Sequence, residues 1–313
     1  MPYRRWSGGC RLLRAGAIIG SGGRCPPTAM TELLEVVRYR EVLWNLVRRN
    51  LKVRYKNSVL GFAWSLLNPL MQIGVWYFVF EVLFGRDQPN FMAFLVTGFL
   101  PWLFFSQTVL DSTACVTQEM ALVKKAYFPR TILPLSALIS NFIHLCFAFI
   151  VLLGLFVIWR VDVNIYYLWL LPATVLVAVF AYGLAAMLAA WSVFYADVKF
   201  IVGNLLGLWF FLTPVLYPVD NVLRGSLKSP DNWLEIFLSE NLPLLKKLFV
   251  LDPLTIGIEG YRSALLRGGE IPIVHPEYPF WLYTLGATGI ALVTAVIGQI
   301  IFRRKADLFA EQG

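Results

Sequence analysis

The sequence predicts an all-α polytopic membrane protein, on three observations. Of its 313 residues, 58% are hydrophobic and only 15% charged, whereas a soluble domain carries about 25% charged residues. The apolar residues gather in runs of about twenty or more, the length that crosses a bilayer as a helix. Lys and Arg gather in alternate loops, the asymmetry that orients such helices. The formal net charge of +8 therefore points to basic loops and anionic lipid rather than to nucleic acid.

Residues 1–29 stand apart, with arginines, glycines and the pair Pro26-Pro27. Their apolar stretch AGAII is shorter than the roughly 7–15 residues of a signal-peptide core. They read as a disordered extension or as a start codon placed too early, because Met30 opens a plausible helix, MTELLEVVRYREVLWNLV.

Residues 30–58 read as an interface region. A helix over Glu41–Lys56 puts Trp44, Val47, Leu51 and Tyr55 on one face, with Asn45, Arg48, Arg49, Lys52 and Lys56 on a neighbouring arc. That is the profile of an amphipathic helix lying in the membrane interface. Arg54 falls inside the apolar arc, and Val42, Leu46 and Val53 fall outside it. Five cations, Arg48, Arg49, Lys52, Arg54 and Lys56, sit within nine residues. They act either as a topogenic anchor alone or also as a contact for an anionic headgroup or a cytoplasmic partner.

Residues 59–308 form the transmembrane domain, with six spans at about 59–84, 91–118, 131–159, 166–194, 200–218 and 279–302. Several exceed the minimum length, so tilt or kinks are expected. Pro69, Pro101, Pro134 and Pro172 fall near span ends or kinks. Residues 1–58 hold twelve Lys/Arg; Lys124, Lys125, Arg130 and Lys199 follow on the same side, as do Arg303, Arg304 and Lys305, while the short alternate loops hold Arg86 and Arg160. The even span count and this charge bias place both termini, including the tail 309–313, in the cytoplasm.

The outer segment 219–278 is apolar in pieces too short to cross, so it reads as re-entrant or interfacial helices before the last span. Asp252 and Pro253 suit the cap and first turn of one of them, which Gly268 and Gly269 would end. Within it Arg262 lies three residues from Glu259, a spacing that permits an ion pair and reads as a structural clamp.

Chemistry-bearing residues are sparse. Cys10, Cys25, Cys115 and Cys146 are scattered, and His144 and His275 are distant, so no metal-ligand spacing appears. Glu81 and Asp111 are the carboxylates within spans, where an ionisable group is a functional candidate. No G-x-x-x-x-G-K-[ST] loop occurs, so ATP and Mg would be bound by a separate subunit and this chain carries no cofactor. Clustered carboxylates or histidines at a membrane face, which a membrane-bound glycan enzyme needs, are not evident, nor are the internal repeats of a secondary transporter. Trp76, Tyr77 and Phe80 lie near one face of the first span, and Trp209, Phe210, Phe211 and Tyr217 crowd the fifth. They read as helix packing or an interfacial belt, or as a pore on which sugars slide through weak, repeated contacts.

The stretch LWNLVRRNLKVRYKNSVLGFAWSLLNPL resembles the amino-terminal signature of polysaccharide-exporting ABC transporter permeases, type-2 exporters of O-antigen, capsule or teichoic-acid polymers. Four further stretches match in order: TGFLPWLFF, KKAYFPRTILPLS, FYADVKFIVGNLLGLWFFLTPVLYP and LDPLTIGIEGYRSALL. The resemblance covers about residues 32–308. Residues 1–29 lack a counterpart, and 221–249 is longer and more charged than the family leads one to expect. It implies a homodimer of six-span subunits with two copies of an ABC ATPase, moving a lipid-linked polysaccharide. It also implies that the loop Glu119–Arg130, with Lys124, Lys125, Tyr127, Phe128, Pro129 and Arg130, packs into a groove of the ATPase, and that the first and fifth spans line the pore. A small-molecule or drug exporter of the same superfamily is the alternative. The basic segment favours the anionic, lipid-linked substrate.

Overall fold

In a computed structural model the described residues are almost wholly helical. The structure describes residues 36–54, 64–83, 91–125, 128–158, 165–219, 244–266, 274–275 and 278–310. The extension 1–29, Lys56, Tyr127, Gly268, Gly269 and most of 221–249 lie outside the described residues.

Helix α1 is Arg40–Arg54; α2 is Trp64–Tyr77, continued by a π-helical turn, Phe78–Leu83. Then come α3, Phe91–Gln118, the short α4, Met120–Lys125, and α5, Ile132–Ile158. A 3-10 turn, Ile165–Trp169, leads into α6, Leu170–Ser192, and α7 is Val198–Leu212. A helical stretch at 244–251 precedes α8, Pro253–Leu265. A two-residue antiparallel bridge, β1 Val274–His275 with β2 Tyr278–Pro279, leads into α9, Phe280–Ala306, and a 3-10 turn, Asp307–Ala310.

Among the described residues, four helices are long and apolar enough to cross a membrane: α3, α5, α6 with its preceding turn, and α9. Their limits fall close to the expected spans because each apolar run is closed by charge or by a turn. The first and fifth expected spans give shorter apolar helices. The fifth stops at Leu212 rather than near 218, and Thr213 is extended (φ −92°, ψ 147°). The next residue is Pro214, and a residue before proline is driven out of helical geometry. At about 1.5 Å per residue, a helix of this length reaches only about 22 Å. The last span runs past its expected end, carrying Arg303, Arg304 and Lys305 in its final turn, where cations favour the helix dipole.

Helix α3 is the core. Phe99, Phe105 and Val109 on it are buried against Val177 and Phe180 of α6, Phe210 of α7 and Tyr261 of α8. Helices α6 and α9 meet backbone to backbone. A Cβ on Gly183 would lie 2.6 Å from the Ala295 nitrogen, and one on Gly298 would collide with the Gly183 carbonyl oxygen. Small residues at helix contacts are how apolar spans gain close packing without a hydrophobic drive. Beside them the Tyr182 hydroxyl donates to Gln299 Oε1 at 2.7 Å.

A second apolar cluster joins α1, α4, α5, α6 and α9 at the end of the bundle that carries the basic segments: Leu46, Val123, Phe128, Ile132, Ala189, Phe302 and Phe309. The cations of the expected cytoplasmic loops are thus gathered at one end, and α8 sits at the other.

Candidate functional site

At the basic end, α1 packs along α5 and reaches α3 through long side chains, with a face offset from the one its apolar periodicity marks, the two sharing Val47. Leu46 and Val47 are its buried residues, while Trp44 is 46% exposed. Leu46, Asn50 and Arg54, spaced by four, share one stripe, and each meets the bundle. Arg49 pairs with Glu119 just past the end of α3. Asn50 Nδ2 donates to Ser136 Oγ at 3.4 Å. Arg54 pairs with Asp111 and donates to Asn141 Oδ1 at 3.1 Å. Asn141 Nδ2 in turn donates to Asp111 Oδ2 at 2.8 Å and to the Ala137 carbonyl at 3.1 Å. The misfit of Arg54 in the apolar arc has its reason here: it reaches a polar partner set between helices.

These side chains wall a cavity of about 720 Å³ that is also lined by Gln107, Gln118, Ser140, His144 and Lys199. Three cations, Arg49, Arg54 and Lys199, face two carboxylates, Asp111 and Glu119, with amides and hydroxyls between. Partial burial lowers the Arg49 pKa from its usual value. The lining suits a polar group with negative charge and hydroxyls. Among the described residues, no group of three or more His, Cys, Asp or Glu is placed to hold a metal ion.

The five expected headgroup cations are therefore divided. Arg49 and Arg54 keep part of their side chains in the open and pair with carboxylates. Arg48 is exposed and lies over the Trp44 ring, 5.8 Å from its centroid. Lys52 is exposed. Reasoning from the sequence missed Gln107, Glu119, Asn141, Ser136, Ser140 and His144 as one site. The signal was a polar stripe, with Ser136, Ser140 and His144 spaced by four along α5, facing Gln107, Asp111 and Gln118 along α3.

Helix α4 follows directly. The Glu119 carbonyl accepts from Leu122 and Val123 nitrogens, both at 2.9 Å, so the residue that pairs with α1 also starts α4. Lys124 and Lys125 end it exposed, while Phe128 is buried in the basic-end cluster. The Pro129 and Arg130 carbonyls accept from Ile132 and Leu133 nitrogens at 3.0 Å, which starts α5. The exposed, basic part of this loop is Lys124-Lys125.

The aromatic residues of α2 and α7 also divide. Trp76 stacks on Phe210 at 5.1 Å and meets Phe99 edge-on at 4.9 Å. Trp209 packs edge-on against Phe105 and Phe180, and Phe80 against Phe91. The Tyr217 hydroxyl donates to the Phe211 carbonyl at 2.9 Å and its ring stacks on Phe249. Tyr77 and Phe211 are exposed, and so are the amides of Gln72 on α2 and Asn204 on α7. An amide facing hydrocarbon is costly, so these faces call for a polar or protein surrounding. The half-buried Glu81 sits in the π-helical turn that follows α2.

At the opposite end, Asp252 caps α8 as expected, accepting from Leu254 N at 3.3 Å with Pro253 in the first turn. Burial raises its carboxyl to about 6, partly offset by hydrogen bonds from Leu254, Trp209 and Thr255. Arg262, 1% exposed, donates from Nη1 to Glu259 Oε1 and from Nη2 to the Val215 carbonyl, both at 2.9 Å. Its guanidinium lies 3.6 Å from the Phe94 ring centroid. The pair is a buried clamp holding α8 to α3 and to the turn after α7, the structural role its spacing suggested.

The sequence profile of the family described as ABC-2 type transporter matches residues 41–228, which hold most of α1, the cavity wall and the α4 loop. An O-antigen export system permease protein RfbA of Myxococcus xanthus is 32% identical over 281 residues, covering 88% of this chain and 97% of that protein. Two proteins of the same name from Klebsiella pneumoniae are 26% identical over 272 residues and 27% over 273, each covering 87% of this chain and 94% of the relative. With a profile match over more than half of its length and near full-length relatives on both sides, this multi-pass chain belongs to the ABC-2 type transporter family and is a transport permease.

Proposed function

We propose that the chain is the membrane subunit of an ATP-driven exporter that moves a lipid-linked polysaccharide, of O-antigen, capsule or teichoic-acid type, out across the bacterial inner membrane. The observation that carries this reading is the near full-length similarity to proteins named as O-antigen export permeases. The charged cavity supports it, because a lipid diphosphate bearing sugars presents both the negative charge and the hydroxyls that such a lining accepts.

In this reading α2 and α7 complete six spans, both termini are cytoplasmic, and two copies pair through the faces that expose Gln72, Tyr77, Asn204 and Phe211. Two copies of an ABC ATPase bind ATP and Mg and act on the α4 loop through Lys124 and Lys125. The exposed cations Arg48 and Lys52 draw the anionic headgroup to the leaflet surface, where each basic residue adds about 1 kcal/mol of attraction. Arg49 and Arg54 set the position of α1 over the cavity.

The test is genetic and biochemical. Cells lacking this chain should make the polymer yet hold it on its lipid inside the cell, and the purified chain should hydrolyse no ATP until co-expressed with its ATPase in a complex of two plus two. Normal surface polymer in such cells would overturn the reading.

A further inference from the structure

The basic end holds a group of side chains that neither the cavity nor the α4 loop accounts for. After α9 the chain makes the 3-10 turn Asp307–Ala310 and sets Phe309 fully inside the basic-end cluster, at 0% exposure. Its ring meets Phe302 edge-on at 5.5 Å and Phe194 at 6.3 Å. The Arg130 guanidinium lies 5.9 Å from the Phe309 ring centroid, and the Lys305 ammonium 4.4 Å from that of Phe194. Arg130 Nη1 is buried without a hydrogen-bond partner among the described residues, so the ring face is the contact it has there. Val123 of α4 and Phe128 belong to the same apolar cluster.

We propose that Phe309 is a positioning residue for coupling: it holds Arg130 and the Phe128 stretch against α9 and the turn after α6, so that a push on α4 is carried into α6 and α9 and not into α5 alone. The geometry gives the reason. Arg130 opens α5 through its carbonyl, while its side chain rests on a ring that belongs to the α9 end. A cation on an aromatic face resists sliding only while the ring stays in place. Phe194 lies between α6 and α7, so the same aromatic group also links the α6 end. The inference rests on the reading of α4 as the contact for the ATPase.

The test compares Phe309→Leu, which keeps the cluster filled but removes the ring, with Arg130→Gln and the double variant. Each is studied as the full permease–ATPase complex, scoring polymer exported per ATP hydrolysed, complex yield and melting temperature. Either single change should lower export per ATP by about threefold, the factor that one lost cation–π contact amounts to. Melting temperature and complex yield should stay near wild type, and the double variant should fare no worse than either single one. Export per ATP at the wild-type level in Phe309→Leu, additive losses in the double variant, or a loss explained wholly by lower melting temperature would overturn the inference. Lys124→Glu with Lys125→Glu separates the two ideas. If that pair leaves assembly and coupling intact, the α4 reading falls and the inference with it. If the pair uncouples while Phe309→Leu does not, the inference alone falls.

Discussion

Arg54 and Asp111 form an ion pair between α1 and α3, eight residues deeper along α3 than Glu119, or about 12 Å at the helical rise. Helix α1 is thereby held at two depths along α3, by Arg49 near its end and by Arg54 about two turns further along.

The deeper latch should be measurable as a coupling energy. Both partners are about a third exposed, so solvent screening holds the pair to about 1 kcal/mol. Arg54→Ala and Asp111→Ala should each lower the melting temperature of the purified protein, and the double variant should lose less than the sum. Additive losses would show that the pair does not hold α1 in place.

Arg-to-Lys exchange should separate the two kinds of cation on α1. Lys cannot fork onto a carboxylate as Arg does, so Arg49→Lys with Arg54→Lys should lower melting temperature. Arg48→Gln with Lys52→Gln should leave melting unchanged and lower surface polymer per folded transporter several-fold, along with binding to vesicles that contain anionic lipid. Unchanged export in that second pair would reduce the exposed cations to an anchor.

The glycine contact between α6 and α9 should tolerate no side chain. Gly298→Val or Gly183→Val should cost at least the roughly 1–3 kcal/mol of an overpacked core, seen as loss of folded protein in membranes. Gly289→Ala on the same α9 meets nothing within 4 Å of its new Cβ and should fold as wild type does.

Asp252 should confer a pH dependence of defined sign. Its carboxyl is raised from 3.8 to about 6, so the folded state favours the protonated form. That contribution is fully present below pH 3.8 and is lost as pH rises through about 6. Asp252→Asn keeps a capping side chain without the charge. It should therefore melt higher than wild type at pH 8 and match it near pH 4. Asp252→Ala should be about 1 kcal/mol less stable than Asp252→Asn at either pH, because both lack the charge and only Asn keeps a cap. A flat difference between Asn and Asp across this range would contradict the buried carboxyl.

Much of this architecture was legible before the structure, and the misses share a cause. The limits of α3, α5 and α6 could be read because each is a closed apolar run. The cap at Asp252 and the Glu259–Arg262 pair could be read because they depend on neighbours three or fewer residues away. The end of α7 was misplaced although Pro214 was visible, because apolar character continues past it to Pro218 while the backbone does not. The face by which α1 meets the bundle was not read from the sequence, for a deeper reason. Periodicity assumes that apolar residues face inward, and here the inward stripe is Leu46, Asn50 and Arg54, matched to Ser136, Asn141 and Asp111. Only long-range partners reveal that a polar stripe is the one that meets the bundle. Phe128, read as part of the loop that packs into an ATPase groove, is buried in the cluster that also holds Phe309, a residue 181 positions away in the sequence.

The bare backbone contact at Gly183 and Gly298 has a mechanical consequence. Two helices whose main chains touch can neither slide nor roll without a clash, so α6 and α9 behave as a single welded beam. Helix α7 has no such weld. It meets the bundle along one edge, through Val202, Leu206 and Phe210, spaced by four, with Trp209 beside them against Phe105 and Phe180, and the side that carries Asn204 and Phe211 faces outward. Side chains along one narrow edge act as a hinge pin rather than a joint, allowing rotation about that edge at lower cost than removal. A stroke delivered at the basic end would therefore leave the beam rigid and turn α7, the helix that carries Asn204 and Phe211 on its free side.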